Sequence, residues 1–185
     1  MARVCIDAGH AGRNVDPGAV NSITGLQEAD VTLQVAKKVG YYLGLVGIEV
    51  GYTRTEWEQA ETDDLDFRTE FSNRWNADLF VSIHCNSAGS KQAHGFEVWT
   101  SPGETRGDVL ATCIFKQIKT EFPDLYGRTD YSDGDPDKES KFYVLTHTDA
   151  PATLIEMAFI SNPGEAANLA DDGYQAHDKH ATTTW

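Results

Sequence analysis

Apolar residues along the chain are arranged in two ways, as short continuous runs and as longer stretches that repeat at helical spacing. The clearest run, Leu79 Phe80 Val81 Ser82 Ile83, stops at His84 Cys85 Asn86 and is followed by turn residues. Its length and its β-branched and aromatic content predict a strand covered on both faces, as in a parallel or mixed sheet. Shorter runs predict strands at residues 4–7, 48–53, 142–146 and 152–156, and the alternation over 95–100 predicts another. Val31, Val35, Val39 and Leu43 lie four apart and form the apolar stripe of a helix that Gly44 and Gly47 stop. Phe67 and Phe71 mark the inward face of a helix over 65–75, and a helical pattern over 109–122 is closed by Pro123. Residues 165–185 read as helical before fading into polar positions, and the segments 13–25, 55–64 and 124–141 are turn-rich loops.

With 185 residues and 40 % hydrophobic content, the chain can bury one core but hardly two, so residues 1–185 read as a single domain. No apolar run is long enough to span a bilayer, which predicts no membrane span. The first residues enter a strand pattern directly, without the apolar core of a signal peptide, so synthesis in the cytoplasm without an export signal is expected. A monomer is expected as well. Lys plus Arg number 15 against 29 Asp plus Glu, a formal net charge of −14, which argues against a nucleic-acid partner because phosphate contacts need a basic face. Cys5, Cys85 and Cys113 are odd in number and form no CxxC pair, the pattern of reduced thiols rather than of a disulfide scaffold.

The candidate chemistry gathers at the ends of the predicted strands. In open α/β sheets, sites lie beyond the carboxyl ends of the strands, which is where His10, His84 and Glu156 fall. Glu28 precedes Val31 by three positions, so a helix that reaches back that far aims its carboxylate along the buried stripe, where it needs a cation, a metal or a hydrogen-bond cluster. Two histidines and a carboxylate are the ligand set of a catalytic zinc, with a further carboxylate, Glu156, free to move protons. Residue types at this wide spacing leave other readings open: strand-end histidines can be hydrogen-bonded rim residues, and Glu28 can be an exposed acid favoured by the helix dipole. Asn86 and His147 are candidates for substrate contact, against turn-capping and solvated alternatives. Glu97 is expected to face solvent and the acidic run 130–139 to be a solvated loop. Arg54 and Arg68 are expected to brace loops through carboxylates, and His177 and His180 to lie on the surface.

Several ordered motifs carry a resemblance: Asp7 Ala8 Gly9 His10 Ala11 Gly12 with Asp16 Pro17 Gly18 Ala19; Gly25 Leu26 Gln27 Glu28; Thr53 Arg54; Leu65 and Arg68; Ala77 Asp78 followed by the run from Leu79 to Asn86; Gly95 Phe96 Glu97; and Pro151 Ala152 Thr153 Leu154 Ile155 Glu156 with Phe159 Ile160 Ser161 Asn162. Over residues 4–169 the chain resembles the zinc-dependent N-acetylmuramoyl-L-alanine amidases of type 3, found in autolysins, sporulation lysins and phage endolysins. The resemblance implies an α/β domain with a mixed twisted sheet of about six strands and helices on both faces. It implies one Zn2+ held by His10, Glu28 and His84, with Glu156 as the catalytic acid/base. The implied substrate is peptidoglycan, cut at the amide between the lactyl group of N-acetylmuramic acid and L-alanine of the stem peptide. A phage endolysin-type enzyme acting on the cell wall, its wall-binding module separate or removed, is the expected setting. A catalytically silent wall-binding module and a zinc peptidase that cuts within the stem are the alternatives. Ala8 and Ala11 depart from the proline and glycine usual in the first motif, Cys85 replaces a common alanine, and residues 175–185 lack the usual apolar closing helix.

Overall fold

The structure, a computed structural model, describes residues 1–176. In chain order the elements are β1 (Arg3–Ala8), α1 (Glu28–Leu45), β2 (Glu49–Tyr52), α2 (Leu65–Trp75), β3 (Leu79–Asn86), β4 (Glu97–Thr100), α3 (Arg106–Glu121), β5 (Lys138–Glu139), α4 (Tyr143–Thr146), β6 (Ala152–Phe159), α5 (Pro163–Ala170) and α6 (Asp172–Ala176). The six strands form one sheet in the order β2-β1-β3-β6-β4-β5. β2, β1, β3 and β6 run parallel, whereas β4 lies antiparallel to β6 and parallel to β5, so the sheet is mixed.

Successive strand residues point to opposite faces, and here both faces are apolar. Val4, Ile6, Ala8, Ile83 and Cys85 pack with Val31, Leu33, Val35 and Ala36 of α1 and Leu169 of α5. Cys5, Phe80 and Leu154 pack with Val144 and Leu145 of α4 and with Phe71 and Trp75 of α2. Helices therefore cover both faces. Among the described residues, no helix is long and apolar enough to cross a membrane.

Three expectations change. Residues 142–146 form no strand: the single turn α4 closes through bonds from the amides of Leu145 and Thr146 to the Phe142 carbonyl, which lets adjacent Val144 and Leu145 both be buried. Alternation would have split them, and a short apolar run cannot tell the two apart. The helix expected at 109 begins at Arg106, because Thr105 and Asp108 form a capping box there, while Val109 is exposed and marks no boundary. The run 130–139 is no uniform solvated loop: Lys138–Glu139 pairs with β4, and Asp137 is buried with Thr100 Oγ1 donating to its carboxylate at 2.6 Å. The helix expected toward 185 is seen as α5 and α6, and His177 and His180 lie outside the described residues.

Candidate metal centre

The parallel strands β1, β3 and β6 end on the same side of the sheet, which brings the expected side chains to one place. His10 sits just past β1 with φ 67°, a left-handed conformation that a residue with a side chain adopts only when its surroundings hold it. The holding group is Arg68, which donates to the carbonyls of His10 at 2.7 Å, Ala8 at 2.8 Å and Thr62 at 2.7 Å, and to Asp7 Oδ1 at 2.6 Å. Buried Asp7 also accepts from Thr53 Oγ1 and Ser82 Oγ, both at 2.6 Å. Burial alone would raise the Asp7 pKa, but the Arg68 charge and these bonds together hold it below the ordinary value. Arg68 thus braces the loop through a carboxylate, as expected. Arg54 differs: fully buried, it donates to the carbonyls of Gly9 and Ala29 and to Thr32 Oγ1, so its partners at the start of α1 are neutral.

Glu28, the first residue of α1, is only 4 % exposed, which excludes the surface-acid reading. Its Oε2 accepts from the Ala19 amide at 2.9 Å and lies 3.0 Å from His10 Nε2. Its Oε1 accepts from the Cys85 amide at 2.8 Å and lies 3.0 Å from His84 Nδ1. Burial opposes ionisation of this carboxyl, yet the bonds to both histidines outweigh it and keep the pKa well below the carboxylate range. His10 Nδ1 is 2.7 Å from Asp16 Oδ2. Burial lowers the His10 pKa, but Glu28 and then Asp16 more than compensate, and the net shift is upward.

Donor atoms of His10, Glu28 and His84 all lie within 4.8 Å of one another. Two imidazole nitrogens and one carboxylate oxygen form a donor set that suits zinc. The backbone closes tightly around it: a Cβ at Gly18, where φ is +65°, would come within 2.5 Å of His10 Cδ2, and one at Gly9 would strike the His84 ring. Glu156 is the register partner of His84 across β3 and β6. Its Oε2 is buried and has no hydrogen-bond partner among the described residues. Burial raises its pKa to about 7, with Glu28 and Glu97 adding to the rise and His84 opposing it. These groups line an open cavity of about 480 Å3, with Asp16, Leu65, Asn86, Phe142 and Tyr143 among its other walls.

Of the two substrate-contact candidates, Asn86 lines this cavity and His147 does not. The exposed His147 ring stacks on Tyr143, with centroids 3.7 Å apart, and its carbonyl accepts from Asn73. Glu97 is no solvent-facing residue: 4 % exposed, it takes Arg128, Lys138, Asn86 and Trp99 as partners. Asp16 and Gly18 stand in a motif quoted above but receive no role in the site from the sequence, where Asp-Pro-Gly is explained by a turn alone. The available signal was an acid six residues after a strand-end histidine.

Fold and site together define an α/β protein with a His–Glu–His centre at the carboxyl edge of its sheet. A family model described as N-acetylmuramoyl-L-alanine amidase, the type 3 amidases, matches residues 4–184, and the chain belongs to this family. It is 34 % identical over 176 residues to the sporulation-specific N-acetylmuramoyl-L-alanine amidase of Bacillus subtilis (strain 168), covering 94 % of this chain and 62 % of that one. It is 36 % identical over 179 residues to the endolysin of Bacillus phage SPP1, covering 92 % and 59 %. The chain therefore spans about three fifths of the length of these relatives. An N-acetylmuramoyl-L-alanine amidase from Clostridium difficile 630 superposes with a TM-score of 0.84 at 30 % identity, over 95 % of this chain and 89 % of that one. The catalytic domain of CwlV from Bacillus (Paenibacillus) polymyxa gives 0.80 at 29 %, over 96 % and 91 %.

Proposed function

We propose that the chain is one catalytic domain over its whole length, a zinc-dependent N-acetylmuramoyl-L-alanine amidase of the endolysin type. The observation that carries this reading is the convergence of His10, Glu28 and His84 beside a buried, unpaired carboxylate oxygen of Glu156. The likeness to an endolysin of a Bacillus phage supports the setting. In this reading the domain acts as a monomer at the bacterial cell wall, and a separate wall-binding module directs it, since its charge of −14 disfavours anionic wall polymers.

His10, Glu28 and His84 would hold one Zn2+. When bound, zinc supplies Lewis acidity that polarises an amide carbonyl and lowers the pKa of water toward about 7. The chain's own contribution begins with orientation. Asp16 fixes the His10 ring through Nδ1, and the Ala19 and Cys85 amides fix both oxygens of Glu28. Glu156 takes a proton from the attacking water at Oε2 and delivers it to the alanine nitrogen as the C–N bond breaks. Amide plus water thereby becomes one carboxylic acid and one amine. A carboxylate beside the reacting amide, with one oxygen unpaired, is placed for both transfers. Asn86, held through Nδ2 by Glu97, contacts the glycopeptide from the cavity wall.

The test is digestion of purified peptidoglycan by zinc-loaded and chelator-stripped protein, with mass analysis of the released fragments. Intact stem peptides with a free N-terminal alanine, released only with zinc, are expected. Cuts within the stem would establish a peptidase instead, and absence of products from zinc-loaded protein would leave a wall-binding module.

A further inference from the structure

Beside the proposed acid/base lies a charged group that the reaction above does not use. Glu97 on β4 is the register partner of Glu156 on β6, so the two side chains leave the same face with Cβ atoms about 5 Å apart. Glu97 Oε1 accepts from Arg128 Nε at 2.7 Å and from Lys138 Nζ at 2.9 Å. Its Oε2 accepts from Asn86 Nδ2 at 3.0 Å and from Trp99 Nε1 at 3.1 Å. Four donors saturate the carboxylate, and Asn86 ties the group to the wall of the cavity.

Two cations meet this single carboxylate in a chain whose net charge is −14. The way Arg128 is used is more telling. Its guanidinium is anchored through Nε and stacked over the Phe159 ring at 5.1 Å, yet neither terminal nitrogen donates to any described residue, and the side chain is 35 % exposed. Lys138 is anchored in the same fashion, with Nζ on Glu97 and 5.1 Å from the Trp99 ring centroid. Arg68 shows the contrasting, structural use of an arginine in this molecule, with all three nitrogens spent on four acceptors. A guanidinium held rigid with its fork unspent is a preorganised carboxylate receptor.

We propose that Arg128 and Lys138 form a subsite for a substrate carboxylate on the leaving-amine side of the cleaved bond, which rests on the amidase reading above. Position narrows the choice of residue. Glu97, which anchors both cations, is the direct register partner of Glu156, so the group they receive is a carboxylate close to the cleaved amide. In a stem peptide that starts with alanine, this is the α-carboxylate of the second residue, a glutamate joined onward through its γ-carboxyl. The subsite thereby reads whether that group is free or amidated.

The probes are two dipeptides, L-alanyl-D-glutamate and L-alanyl-D-isoglutamine, each with the γ-carboxyl capped as a methylamide. Neither contains the amide to be cleaved, so calorimetric titration of zinc-loaded protein reads binding alone. The wild type is expected to bind the free acid about ten-fold more tightly than the amide. R128Q is expected to abolish that preference with amide affinity unchanged, and R128K, which keeps charge without the fork, to restore part of it. K138Q is expected to reduce the preference by a smaller factor. Equal affinity for the two probes in the wild type, or binding of neither, overturns the proposal. So does an equal loss of both in R128Q, the mark of a structural role through Glu97. Peptidoglycan digestion reads separately: stem release without acid preference refutes only the subsite, and acid preference without stem release refutes only the amidase.

Discussion

At the scale of the residue, the site separates two carboxylates by their surroundings. Glu28 receives two backbone amides and faces two imidazoles, which keep it ionised. Glu156 has a buried oxygen with no donor, which keeps a proton within reach at neutral pH. The roles proposed for them make opposite predictions for metal content. Glu156→Gln is expected to lower kcat by about 10²–10⁴-fold with zinc stoichiometry unchanged. His84→Ala is expected to lose zinc and activity together. Metal analysis of the purified variants beside turnover on peptidoglycan checks both, and loss of zinc from Glu156→Gln would show that the partition is wrong. The four residues were legible in the sequence because each ends an apolar run or opens an apolar stripe, and the sheet topology turns those positions into neighbours. The roles of Asp16 and Gly18 were not, because each is a contact across a turn whose composition already explains itself. Glu97 was misread for a related reason: alternation assigns it to a face of the sheet, and only the arrival of Arg128 and Lys138 from distant segments covers that face.

At the scale of the element, the candidate metal centre depends on how β1 is locked to α2. The buried pair Asp7–Arg68 joins them, and Arg68 also pins the backbone of His10. Folding depresses the Asp7 pKa, so this pair contributes stability that is present above the ordinary aspartate value of 3.8 and lost as pH falls through the folded value. Removing the cation reverses the sign. In Arg68→Leu, Asp7 keeps its bonds from Thr53 and Ser82 but is buried without a compensating charge, so its pKa is expected to rise on folding and the native state to gain stability as pH falls toward 3.8. The cost at pH 7 is expected to be about 3–5 kcal/mol, and it should shrink between pH 7 and pH 5, where the wild-type pair contributes a constant amount. Urea unfolding of both proteins at the two pH values checks this, and a pH-independent difference would show that Asp7 does not carry it. The elements misjudged from sequence share one physical cause. The turn α4 and the start of α3 are set by hydrogen bonds at their ends, and β5 by pairing with a distant strand. Hydrophobic period records burial and is silent about both.

At the scale of the whole molecule, an acidic chain must accommodate some of its carboxylates out of water, and not all of them have found cations. Asp137 is 2 % exposed, and Thr100 donates to its Oδ2. Its Oδ1, like Asp135 Oδ1, is buried with no hydrogen-bond partner among the described residues. Burial first, and then Asp135, raises the Asp137 pKa to about 7. The native state therefore holds a proton between pH 3.8 and about 7 that the unfolded chain releases, and stability falls as pH rises through that window. This slope is opposite to that of Asp7. Asp137→Asn removes the titrating group and keeps the geometry: Oδ1 can accept from Thr100 while Nδ2 donates to the unpaired Asp135 oxygen. The variant is expected to match the wild type near pH 4 and to exceed it by more than about 1 kcal/mol at pH 8. Chemical denaturation of chelator-stripped protein across that range isolates the effect from zinc, since the two chains then differ at one position only. A gap that is constant with pH would assign the gain to the new hydrogen bond alone and leave Asp137 ionised in the folded protein.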